Sequence, residues 1–252
     1  MVTFLARLFR SSVMIKIIMA VSGLGIIGFL LAHLTGNLLM FGGPEKINAY
    51  GQSLRDLGPV LWLLRGGILL FFIAHIWSAI MLGKRNRAAR PIGYAMKKPI
   101  KATVFSRTMM LSGLTVFAFV AFHLAHYTFG KIQPEFFNRE YTLHDGRVTH
   151  NVYEMVVYGF ENPAYTLLYV LCMTLLGFHL SHALTSAMQT FGLNNPKYSK
   201  FLRRLGPSFA VIIVAAYLSI PVSVITGILK HKADIEHTAL SNEGGIIKEM
   251  KQ

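Results

Sequence analysis

The chain has 252 residues, 53% of them hydrophobic and only 14% charged, with a formal net charge of +14. That balance is too apolar for a soluble domain of this size and predicts a membrane protein. The single cysteine, Cys172, excludes an internal disulfide, a cysteine-built zinc or iron–sulfur site and a C-x-x-C-H attachment. The basic residues sit between apolar runs, which directs the charge toward anionic lipid or a partner protein and away from nucleic acid.

Arg7, Arg10 and Lys16 lead into the first apolar run, near 14–41. It is longer than the roughly 7–15 residues of a signal-peptide core and lacks a clear cleavage motif, so a retained span is expected. Within it lies SGLGIIGFLLAHLTGN, Ser22 to Asn37, with His33 far inside. The stretch GGPEKINAYGQSLRDLGP then reads as an open loop bounded by Gly42-Gly43-Pro44 and Gly58-Pro59. Further spans are expected near 61–83 with His75, 107–130 with His123 and His126, 163–191 with His179 and His182, and 206–229. Each is long enough to cross about 30 Å of hydrocarbon as a helix, which takes roughly 20 residues. The prediction is an all-α integral membrane protein: one membrane domain over 1–252, with five helices.

Orientation follows from the links. Segment 84–107 carries Lys84, Arg85, Arg87, Arg90, Lys97, Lys98, Lys101 and Arg107 and no acid; segment 192–205 carries Lys197, Lys200, Arg203 and Arg204 and no acid. By the positive-inside rule these links and the N-terminus face the cytoplasm, and the C-terminus faces out.

An ionisable side chain inside a span is a functional hypothesis by default. Here the spans repeat. Met19-x-x-Ser22-Gly23-Leu24 recurs as Met109-x-x-Ser112-Gly113-Leu114, and each Ser-Gly-Leu precedes a histidine, His33 or His123, by the same interval. That interval is about three helical turns and places serine, glycine and histidine on one face. A weaker echo aligns His75 with His179. His33, at ~12 Å below the outer end of its span, matches His123 in depth, while His75 matches His179 toward the inner end. Two paired sets of imidazoles suit two b-type haems with bis-histidine ligation. Gly23, Gly25, Gly28, Gly66 and Gly67 fit either a flat ligand or close helix packing. His126 and His182, one turn beyond His123 and His179, stand as rival ligands. His144, His150, His231 and His237 fall in outer segments and are given no role.

HLTGNLLMF, AHIWSAI, SRTMMLSGL…FHLAHYTFG and GFHLSHALTSAMQTFG, taken together over the first four spans, resemble the dihaem cytochrome b anchor subunit of succinate:quinone oxidoreductases and fumarate reductases. The resemblance implies a five-helix anchor in a bacterial cytoplasmic membrane, with flavoprotein and iron–sulfur subunits docked on its cytoplasmic face. It implies two haems b, one axial histidine from each of the first four helices, at His33, His75, His123 and His179, and menaquinone as the redox partner. Lys16 and Arg107, at the inner ends of the first and third spans, are candidates for haem propionates, and the basic loop 84–107 for subunit docking. Asn37, one turn beyond His33, with Glu45, Tyr50 and Asp56 of the following loop and Arg65 of the second span, are candidates for quinone; Arg65 also rivals for outer propionates. The alternatives are a dihaem cytochrome b of a nitrate reductase, formate dehydrogenase or hydrogenase, and a haem-free transporter that uses buried histidines as a proton relay.

Overall fold

The computed structural model describes residues 11–89, 92, 104–193 and 195–231. In chain order, α1 (Ser12–Leu38) runs into a 3-10 turn, Leu39–Gly42; α2 (Pro44–Asp56) and α3 (Pro59–Ala88) follow. A short α4 (Val104–Arg107) precedes α5 (Met109–His123), which continues as a π-helical turn, Leu124–Thr128. Then come α6 (Pro134–Phe137), a hairpin of β1 (Glu140–Thr142) and β2 (Val148–His150), α7 (Val152–Glu161), α8 (Pro163–Thr190) and α9 (Ser199–Ile225).

Among the described residues, five helical stretches are long and apolar enough to cross a membrane: Ser12–Gly42, Pro59–Ala88, Met109–Thr128, Pro163–Thr190 and Ser199–Ile225. The protein is an all-α integral membrane protein, and hydrocarbon explains the choice of helix. With no water to bond, every peptide group in a span must find its partner within the segment. Helix starts follow local chemistry: Pro44, Pro59 and Pro163 occupy the first helical position, where a missing N–H costs nothing. Asn162 caps α8, its side-chain oxygen accepting from the N–H groups of Ala164 (3.0 Å) and Tyr165 (3.4 Å). Gly43 turns the chain between the first span and α2 at φ +85°, a conformation open to glycine. The span limits differ from expectation mainly at two ends. α3 continues to Ala88 through Lys84, Arg85 and Arg87, and α9 begins at Ser199, because Lys and Arg are good helix formers where a helix leaves the bilayer.

The described residues form two compact units. Unit 1 comprises those of 11–33, 57–116 and 174–214; unit 2 comprises those of 34–56, 117–173 and 215–231. In unit 1 the close approach of α8 and α9 is set by Gly206, where a Cβ would collide with the Ser181 carbonyl, and by Thr185, whose hydroxyl donates to Leu202 O at 3.2 Å.

Unit 2 corrects the expectation of an open loop after the first span. Pro44–Asp56 is helix α2, and it packs against α7 and the hairpin. The reason is amphipathic: Ile47 and Asn48 are buried while Glu45, Lys46 and Arg55 stay at the rim. Asn48, with no exposed surface, donates to Asn151 Oδ1 at 3.2 Å and accepts from the Tyr153 N–H at 3.1 Å. Asn151 Oδ1 also caps α7 by accepting from the Glu154 N–H at 3.1 Å. Around this polar tie, Met40, Ile47, Tyr153, Val157, Phe160, Tyr169, Ile220, Val224 and Leu229 make one apolar core. His231, given no role from the sequence, sits in that unit as a structural clamp. Its Nδ1 lies 2.8 Å from Glu154 and its Nε2 2.7 Å from Glu161, with the Tyr158 ring 3.8 Å away.

Candidate functional site

The first histidine group belongs to unit 1. The rings of His75 on α3 and His179 on α8 stand 6.3 Å apart, centroid to centroid, at 68° to one another. That separation is an edge-to-face ring contact; it matches the roughly 6.4 Å of two imidazoles on one ion only where both Nε2 atoms face that ion from opposite sides. His75 Nδ1 lies 3.2 Å from the Met19 carbonyl, an acceptor only, so Nδ1 carries the proton and donates. His179 Nδ1 lies 3.3 Å from Ser112 Oγ. The Ser112 hydroxyl reaches both Met109 O, at 3.2 Å, and His179 Nδ1; when it donates to Met109 O it accepts from His179. On His75, and on His179 in that arrangement, the lone pair resides on Nε2. Proton-on-Nδ1 histidines held by a carbonyl or hydroxyl are the usual outer support of a metal-bound imidazole.

The repeated Ser-Gly-Leu meets the neighbouring span. Each glycine supports the histidine of the next span and not the one on its own helix. A Cβ on Gly23 would stand 3.2 Å from His75 Cε1, and one on Gly113 would stand 3.3 Å from His179 Cε1. A Cβ on Gly25 would likewise run into the Phe71 ring. Gly28, Gly66 and Gly67 meet nothing within 4 Å and cradle no neighbour in the described structure. Helical periodicity correctly placed serine and glycine on one face; which neighbour that face meets is a matter of helix packing.

The second group lies in unit 2. His123 Nδ1 is 3.3 Å from the Tyr169 hydroxyl, and His126 Nδ1 is 3.2 Å from the same oxygen. His126 is almost fully buried, and its Nε2 bonds Gln133 Oε1 at 2.8 Å. Both of its ring nitrogens are therefore committed within the protein. Phe119, Phe122, Tyr127 and Tyr165 complete an aromatic shell, with Tyr127 stacked on His126 at 4.0 Å. The π turn that begins after His123 adds a residue to the helical turn, and such turns are frequent at functional sites. Tyr169 and Gln133 were not singled out from the sequence. The available signal was Tyr165 and Tyr169 at i, i+4 on one face of the fourth span.

The remaining candidates are distributed as follows. His33, half-buried, stacks on Phe29 at 5.5 Å and belongs to unit 1. His182 is half-buried beside the His179 turn. Lys16 and Arg107 are exposed. Arg90, Lys97, Lys98 and Lys101 of the basic segment, and His237, lie outside the described residues. Asn37 is half-buried, and the Tyr50 ring covers neighbouring Gly36. Glu45 accepts the His144 N–H at 3.0 Å and lies 3.7 Å from its ring, so it ties α2 to the hairpin. Burial, and Glu45 beside it, push the Tyr141 phenol up. Asp56 pairs with Arg147 at 3.2 Å on the surface. Arg65, in unit 1, is exposed and lies over the Trp62 ring at 4.9 Å, an arrangement that suits an interfacial anchor.

No protein-family model, curated protein or solved structure matches this chain.

Proposed function

We propose that this chain is the dihaem cytochrome b anchor of a succinate:quinone oxidoreductase or fumarate reductase, carrying electrons between an iron–sulfur subunit and a quinone, menaquinone by the resemblance. The observation that supports the reading is the His75–His179 pair: two imidazoles on apolar spans with ring centroids 6.3 Å apart, each with Nδ1 held by its own support. Haem b, when bound, supplies one-electron chemistry in a water-free setting. In this reading His75 and His179 hold one haem, and His33 and His123 hold the other. Met19 and Ser112 fix the ring orientation of the first pair, and Gly23 and Gly113 leave room for the rings. His126 is set aside as a ligand because both of its nitrogens are engaged.

The same reading places the chain in a bacterial cytoplasmic membrane, N-terminus in and C-terminus out, with a flavoprotein and an iron–sulfur subunit on the cytoplasmic side. Lys16 and Arg107 are proposed for propionates of the inner haem. The quinone is proposed at the outer end, near Asn37 and Tyr50, since a second haem serves only to carry electrons outward. Glu45 is a weaker contact, being engaged with the hairpin. The test is a reduced-minus-oxidised spectrum of the purified complex with succinate as donor. Two succinate-reducible low-spin b signals are expected; a complex that co-purifies with no flavoprotein, or shows no haem, refutes the assignment.

A further inference from the structure

The histidine that is not a ligand has a bonding pattern of its own. Gln133 Oε1, facing His126 Nε2 at 2.8 Å, can only accept, so His126 carries its proton on Nε2. A neutral imidazole has one N–H, so His126 Nδ1 is an acceptor, and the nearby Tyr169 O–H donates to it at 3.2 Å. The Tyr169 oxygen, its proton now spent, accepts from His123 Nδ1 at 3.3 Å. The three bonds share one sense. His123 donates to Tyr169, Tyr169 to His126, and His126 to Gln133.

We propose that Tyr169 and His126 are positioning residues, forming with Gln133 a directed hydrogen-bond chain that holds the His123 proton on Nδ1 and its lone pair on Nε2. This rests on the reading of His123 as an axial ligand. The burial of His126 and Tyr169 and the aromatic shell around them explain how the chain keeps its direction: water does not compete for its two central members, and aligned bonds in a low-dielectric surrounding polarise one another. An acceptor on Nδ1 makes the imidazole a stronger electron donor at Nε2 and so favours the oxidised state of the iron it holds. The chain therefore sets a potential as well as an orientation. Gln133, which follows the π turn, is its outermost member and is only half-buried.

The experiment is a spectroelectrochemical titration of the purified holo-complex, with the His75–His179 haem as internal reference. Tyr169→Phe keeps the bis-histidine low-spin signature but loses the acceptor. If preference for the oxidised state falls tenfold, within the range for lost outer supports, the His123 haem shifts up by about 59 mV. Gln133→Leu moves it the same way by less, and Gln133→Glu, a stronger acceptor, moves it down. The reference haem stays fixed in all three. Gln133→Leu removes an acceptor without adding charge, so its upward shift decides the matter should Tyr169→Phe fail to assemble; the downward shift of Gln133→Glu counts for the chain only where it is larger than that of a Glu placed at Lys131, off the chain. An unmoved His123 haem, or Leu and Glu shifts of one sign, overturns the chain while leaving the dihaem assignment standing. A wild-type complex without haem, or one in which His123→Ala keeps both haems, overturns the assignment itself.

Discussion

The His75–His179 group and the His123–His126 group both orient imidazoles within apolar spans, but with different materials. In unit 1 the supports are a backbone carbonyl and a serine, and the rings fit because two glycines offer no side chain. In unit 2 the support is a tyrosine shared by two histidines inside an aromatic shell. The first design is compact, and its serine and glycine markers recur in the repeat. The second depends on residues brought from α5, the turn after it and α8. A carbonyl cannot be mutated away, so the His75 support is indifferent to side-chain change; the Tyr169 support is removed by deleting one oxygen. The comparison teaches that one chain can orient its histidines in two ways: with backbone and small residues that recur in a repeat, or with side chains gathered from separate elements.

The sharpest way to break the comparison is to delete a ring. On the proposed dihaem reading, His75→Ala or His179→Ala is expected to abolish the low-spin signal of one haem and leave the other, read by optical and paramagnetic resonance spectra. Loss of both would mean that the groups are not independent. A somewhat smaller effect is expected from bulk at the glycines. Gly23→Leu and Gly113→Leu drive a side chain into a ring already 3.2–3.3 Å from a bare Cβ, and should deplete the same haem. Gly28→Leu, with nothing within 4 Å, should be neutral in the same assay.

Two milder changes act on unit 2 alone. Asn48→Ala leaves the Tyr153 N–H and Asn151 without their partner in a buried place, at a cost of about 1–3 kcal/mol. Faster hydrogen exchange in α2, α7 and the hairpin should report it, with the His75–His179 spectrum unchanged. The smallest effect is a pH dependence. Burial, with Arg55 beside it, holds the His150 imidazole below its usual range. The folded state thus binds fewer protons than the unfolded state, so stability from this residue is present above the unfolded value of about 6.5 and is lost as pH falls toward the folded one. Hairpin exchange should accelerate below about pH 6.5, and His150→Gln should flatten that dependence. The surface pairs of Arg147 with Asp56 and Asp145 should contribute little, as exposed ion pairs do.

What the sequence determined by itself was everything that depends on period and length. Five apolar runs of membrane-crossing size, their order, the histidine within each of the first four, and the Ser-Gly-Leu repeat are local properties, fixed by helical geometry and the exclusion of water. The depth match of His75 with His179 was also legible, because rise per residue counts depth along any span. Tertiary structure decided what faces what. It brought Gly23 to His75 and Gly113 to His179, engaged both nitrogens of His126, and gave His231 two glutamates. It also turned the 44–56 stretch, set between Gly42-Gly43 and Gly58-Pro59, into helix α2, because Ile47 and Asn48 found a buried face to fill. Those outcomes depend on partners up to a hundred residues away, such as Asn151 for Asn48, and no local pattern encodes a partner at that distance.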